Sequence, residues 1–214
     1  MYRYKIKELD SWKKSKDRKP LIIRGARQVG KTWLMKEFGK NEYEKCAYIN
    51  FDDNSRMEQL FSGDFDIERI IQGLKIESGV NIEPENTLII FDEIQETPKA
   101  LTALKYFYEK ANEYHIVAAG SLLGVAMHEG TSFPVGKVDF LDLYPLNFYE
   151  FLEALGERTL VDLIEKNDID LINVFADKLK QYLKQYLYIG GMPEVVDSYV
   201  QNKDFEEVRK KQII

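Results

Sequence analysis

The sequence predicts a doubly wound α/β core built on a mainly parallel sheet, followed by a small all-helical appendage. Three observations carry this reading. The apolar run Pro20-Leu-Ile-Ile-Arg24 stops at Gly25 and gives way to helical periodicity from Lys31 to Phe38. Further apolar runs of strand length alternate with helical stretches as far as Tyr144. Beyond Pro145 only helical patterns remain, so the expected division is a core of residues 1–146 and a helical part of residues 147–214.

The elements follow in order. In the charged lead-in, Leu9 and Trp12 stand at helical spacing and can dock while the lysines point outward. After the first strand and helix, Cys46 to Phe51 reads as a strand ending in Asp52-Asp53, and helices are expected over about 55–61 and 66–78. A turn at 81–86 contains Pro84. Thr87-Leu-Ile-Ile-Phe91 is an unbroken apolar run, the mark of a parallel strand covered on both faces, and it delivers Asp92-Glu93 at its carboxyl end. Pro98 opens a helix to about Ala111, and His115 to Ala119 forms a strand that ends at Gly120-Ser121, with a short helix expected next. Val138 to Tyr144 is the last strand, followed by helices over 147–155, about 160–165, 169–188 and from 194 onward.

With 214 residues and 44% hydrophobic content, the chain can bury the core of one large domain and a small appendage, which argues against extended disorder. Cys46 is the only cysteine, so no intrachain disulfide forms, and a lone thiol suits a reducing compartment. The first twenty residues are polar, unlike a secretory leader, and the longest uncharged apolar stretch falls short of a membrane helix. A cytoplasmic protein with no membrane segment is expected. The net charge of -6 hides an asymmetry, because residues 1–40 hold 13 Lys+Arg against 4 Asp+Glu. That basic end admits either a solvated helix face or a nucleic-acid patch.

Residues 25–32 read Gly25-Ala26-Arg27-Gln28-Val29-Gly30-Lys31-Thr32, matching G-x-x-x-x-G-K-[ST] at every fixed position. Backbone N–H groups of such a loop converge on phosphate, and the helix that follows points its positive end there. Lys31 is expected to reach the β and γ phosphates of ATP or ADP, and the Thr32 hydroxyl to ligate Mg²⁺. Asp92 is the expected second metal residue, acting through the metal's water shell. Glu93 is placed to polarise the water that attacks the γ-phosphate, which points to ATP hydrolysis. Lys31 and Asp92 stand 61 positions apart, leaving room for an extra strand and crossover. A guanine site would need N-K-x-D, and Asn202-Lys203-Asp204-Phe205 misses that spacing. Ser121, at a strand carboxyl end, admits two compatible roles: sensing the γ-phosphate or capping a helix. Arg24 and Arg27 flank the loop and could touch phosphate, with solvent exposure or a carboxylate partner the favoured reading. His115 and His128 lack metal-ligand spacing.

Five segments together resemble the bacterial and archaeal AAA+-like ATPases that carry a C-terminal domain of unknown function. They are Leu21 to Thr32, Ile90-Phe-Asp-Glu-Ile-Gln95, Ala119-Gly-Ser-Leu-Leu-Gly124, Leu143 to Phe151 and Tyr188-Ile-Gly-Gly-Met-Pro-Glu194. The resemblance implies an AAA+-like P-loop core under a helical lid, with members continuing well past this length. It also implies two further site residues. Lys137 occupies the slot where many relatives mount an arginine finger acting across a homo-oligomer interface, and lysine lacks the bidentate fork. Pro193 sits in a glycine-proline motif whose proline packs on adenine in related switch ATPases. A helix cap with a proline stop explains the same residues. Three functions remain open: an ATP-hydrolysing switch or motor, a nucleotide-gated module for a protein partner or further C-terminal domain, and a DNA-associated ATPase.

Overall fold

A computed structural model describes residues 2–120, 134 and 136–212. They form two compact units, one of residues 5–27 and 31–143, the other of residues 2–4, 28–30 and 144–212.

The larger unit is built on five parallel strands, β1 (Leu21–Arg24), β2 (Lys45–Asn50), β3 (Thr87–Asp92), β4 (His115–Gly120) and β5 (Asp139–Asp142). Their order is β2-β3-β4-β1-β5. The strands that read as unbroken apolar runs occupy the middle, and every residue of β3 and β4 is buried, as a sheet covered on both faces requires. Register aligns the carboxyl ends: Arg24 pairs with Gly120 and Asp142, and Asn50 with Asp92. That edge is where open α/β sheets hold ligands.

Helices α1 (Ile6–Lys14), α2 (Lys31–Glu42), α3 (Ser55–Ser62), α4 (Ile67–Ser78) and α5 (Pro98–Lys110) belong to this unit. Leu9 and Trp12 are the buried residues of α1, the docked-helix reading of the lead-in. Asn54 caps α3 and Asp66 caps α4 by accepting main-chain N–H bonds. A Cβ on Gly39 of α2 would stand 2.8 Å from Cys46 Sγ, so glycine lets that helix lie close on the sheet. Phe51, Phe61 and Phe91 meet with ring centroids 5.2–6.1 Å apart and centre the core. Truncating one of them to Ala would cost about 3–5 kcal/mol.

The second unit is helical: Phe148–Ala154, Arg158–Glu165, Ile169–Val174, Ala176–Ile189, Pro193–Asn202 and Phe205–Gln212. Asn147 and Glu150 form a reciprocal capping box on the first of these. Leu146, Phe151, Ile189, Val195, Val196, Tyr199 and Val208 form its main core. Three expectations change in detail. The helix expected over 169–188 is broken at Phe175, and the run from 194 onward is broken at Lys203, whose φ of 54° is left-handed. The last strand is shorter than expected, Asp139–Asp142.

Among the described residues, no helix is long and apolar enough to cross a membrane.

Candidate functional site

The loop after β1 takes positive φ at both a glycine and a glutamine. Gly30 takes a φ of 93°, outside the comfortable range of a side-chain-bearing residue, and Gln28 takes the left-handed φ of 65° that glycine would have been expected to supply. The helix α2 begins directly after the loop, at Lys31. Lys31 is buried, and its ammonium donates to the carbonyls of Gly25 (2.9 Å) and Ala26 (2.7 Å). Burial pushes its pKa below the usual lysine range, against the pull of Glu93 and Asp92. The ammonium is thus held close to the loop by acceptors that a phosphate can replace.

One residue on, the Thr32 hydroxyl donates to Oδ2 of Asp92 at 2.7 Å. Asp92 is 4% exposed, and its Oδ1 accepts the Glu93 N–H at 3.2 Å. Tyr48 of β2 donates its hydroxyl to the same Oδ2 at 2.9 Å. Sequence reading missed Tyr48. Its position two residues before Asn50, which pairs with Asp92, was the available signal, but that register is a tertiary fact.

This donor set fits Mg²⁺. Thr32 and Asp92 carry hard oxygen donors of the kind Mg²⁺ takes, and with the hydroxyl proton directed at Asp92 the lone pairs of Thr32 Oγ1 face away from it. Among the described residues, no group of three or more His, Cys, Asp or Glu is arranged to hold a metal by itself.

Glu93 adopts a left-handed backbone (φ 52°, ψ 42°) between β3 and a short 3-10 turn, Ile94–Glu96. Its Oε2 accepts from Gln95 Nε2 at 2.6 Å. Gln95 is a second residue the sequence reading did not assign a role.

Other expected site residues fall elsewhere. Arg24 makes a two-pronged pair with Asp142, both distances 2.9 Å, which is the carboxylate reading of that residue. Arg27 is exposed. Lys137 precedes β5, at the amino edge of the sheet away from the loop, and its ammonium pairs with Glu109 at 3.0 Å. Ser121 and His128 lie outside the described residues. His115 is buried beside Tyr43, with Tyr43 Oη 2.7 Å from its Nδ1.

Within the second unit, Arg3 is a buried cation that sequence reading also missed. It donates to Glu150 Oε1 (3.1 Å) and to the carbonyls of Val29 (2.7 Å) and Tyr144 (2.5 Å). A Cβ on Gly30 would stand 3.6 Å from both Arg3 Nη1 and Pro193 Cγ, so Pro193 meets the loop at its second glycine. Pro193 also opens its helix at the first turn, while Gly190 caps the preceding one through a bond to Tyr186.

Comparison with known proteins bears on the fold and the family. Over 190 residues the chain is 25% identical to an uncharacterised protein of Methanocaldococcus jannaschii, a match covering 83% of this chain and 39% of that protein. The chain therefore spans well under half of that relative's length. Its fold is similar to that of the Walker-type ATPase of Pyrococcus abyssi, with TM-score 0.58, 16% identity, and coverage of 97% of this chain and 69% of that one. The Aeropyrum pernix ORC2 protein, solved in ADPNP–ADP complexes, superposes with TM-score 0.49 and 17% identity over 75% of this chain and 52% of that one. Residues 17–152 match the model of the AAA domain. That match takes in the phosphate loop, the Asp92-Glu93 strand end and all five strands, and the chain belongs to the AAA domain family of P-loop ATPases.

Proposed function

We propose that this chain binds Mg·ATP and hydrolyses it, working as an AAA+-like switch or motor in which residues 1–146 form the ATPase core and 147–214 the lid. The observation that carries the reading is the direct bond from Thr32 to Asp92 beside a loop that already holds Lys31 inward. In this scheme the main-chain N–H groups of residues 25–32 and the Lys31 ammonium bind the phosphates. Thr32 and Asp92 would hold Mg²⁺, which when bound would supply charge to offset that developing on the phosphate oxygens. Glu93 accepts a proton from water as the water oxygen bonds to the γ-phosphorus and the bond to the β–γ bridging oxygen breaks, giving ADP and phosphate. Gln95 orients Glu93 for that task. Pro193, which abuts Gly30, is assigned to the adenine side. Ser121 keeps its two roles, and a trans-acting role for Lys137 in a homo-oligomer first requires release from Glu109.

Calorimetry and a phosphate-release assay test this together. Wild type should bind ADP and ATP and release phosphate slowly, and Glu93→Gln should bind them with turnover lowered about 10²- to 10⁴-fold. Equal turnover by the two would remove Glu93 from the chemistry.

A nucleotide-gated interaction module is the second reading. It draws on the helices Ile169–Val174 and Ala176–Ile189, which expose Val174, Leu187 and Tyr188. Tight ADP binding with no hydrolysis in the presence of a partner would favour it. The DNA-associated alternative draws on the basic lead-in, where Lys13 is engaged by Glu42 and Arg18 by main-chain carbonyls. A salt titration of duplex binding tests it.

A further inference from the structure

We propose that Tyr48 is a positioning residue for the metal carboxylate: its hydroxyl fixes the orientation in which Asp92 accepts the Thr32 proton, and so sets the site's affinity for Mg²⁺. This rests on the metal roles given above to Thr32 and Asp92.

The geometry begins with the sheet. Tyr48 pairs with Ile90 and Asn50 with Asp92, so residues 48, 50, 90 and 92 share one face, and the phenol reaches diagonally to the carboxylate. Oδ2 of Asp92 then accepts two hydroxyls, from Thr32 at 2.7 Å and Tyr48 at 2.9 Å, while Oδ1 accepts the Glu93 N–H. Three donors, one from α2, one from β2 and one from the main chain just after β3, fix one carboxylate.

The Tyr48 ring is itself held. Lys36 stands four residues after Thr32 on α2, hence on the same helix face, and its ammonium lies 3.6 Å from the ring centroid. The ring is therefore held against the helix that carries Thr32.

The consequence concerns the threonine. Its hydroxyl has one proton and two lone pairs, and with the proton turned to Asp92 the lone pairs face away from the carboxylate, towards a cation. Tyr48 occupies the remaining approach to Oδ2 and opposes rotation of the carboxylate away from Thr32. A tyrosine that merely filled space would leave metal affinity untouched when its hydroxyl was removed.

The test titrates Mg²⁺ into the protein–ADP complex, with ADP affinity also measured in EDTA, for wild type, Tyr48→Phe and Asp92→Asn. Tyr48→Phe keeps the ring and its contact with Lys36. It should raise the Mg²⁺ half-saturation by about 10- to 100-fold, the usual effect of losing an outer-shell partner, with ADP affinity in EDTA unchanged. If Asp92→Asn raises the half-saturation and folded Tyr48→Phe does not, the role of Tyr48 is overturned and the metal site stands. If neither variant moves it, the metal reading fails and Tyr48 falls with it. Should Tyr48→Phe not fold, Lys36→Met carries the test: a raised half-saturation supports the proposal and an unchanged one overturns it.

Discussion

Thr32 Oγ1 lies 2.7 Å from Asp92 Oδ2, so two residues 60 positions apart share one hydrogen bond at the carboxyl edge of the sheet. Their contributions to Mg·ADP binding should therefore not add. A double-mutant cycle of Thr32→Val and Asp92→Asn, read by calorimetry, is expected to give a coupling of about 0.5–3 kcal/mol. Additive losses would mean the two act separately.

Lys31 makes two charge-assisted bonds to loop carbonyls that phosphate oxygens are expected to replace. Lys31→Ala should weaken ADP binding by roughly 10- to 100-fold, the worth of one to two such bonds. Fluorescence titration with a labelled ADP measures it.

Gln95 restrains Glu93 through a 2.6 Å bond. Gln95→Ala should lower turnover while leaving ATP affinity within error of wild type, whereas Glu93→Gln should lower turnover by about 10²- to 10⁴-fold. Single-turnover phosphate release on both variants separates the two effects.

His115 is buried among Tyr43, Trp12, Lys13 and Arg18, and its pKa is pushed down to about 4 by burial first and by the two cations second. The folded value lies below the ordinary 6.5, so the unfolded chain binds the proton more readily. Stability is then fully present above about pH 6.5 and is lost as the pH falls towards about 4. Urea midpoints at pH 7 and pH 5 should differ in wild type and converge in His115→Phe.

Arg3 and Glu150 form a buried pair, and removing one partner leaves the other charge stranded. Arg3→Met should destabilise by about 3–5 kcal/mol, and Arg3→Met with Glu150→Leu should recover much of that. Chemical denaturation of both variants checks it.

Much of this was legible in the chain. Thr87 to Asp92 and His115 to Gly120 read as strands because a parallel sheet covered on both faces selects unbroken apolar runs, and those are the central pair. The phosphate loop was legible because its glycines and Lys31 follow from the chemistry of anion binding alone. Tyr48 and Arg3 were not legible, since their partners, Asp92 and Glu150, stand 44 and 147 positions away. Local pattern carries no information about such pairs. The break at Lys203 escaped for a different reason: lysine is a good helix former, and nothing in its side chain announces the left-handed φ of 54° that ends the helix there. Lys137 was read from its slot beside Gly136, and that slot could not reveal Glu109 on α5.

The backbone at Glu93 has one more implication. A left-handed φ of 52° disfavours a glutamate by about 1–2 kcal/mol and suits a glycine without penalty. A library randomised at this codon and screened only for heat resistance should drift to glycine. Screened for phosphate release, it should return to glutamate, so the two selections would pull one position in opposite directions.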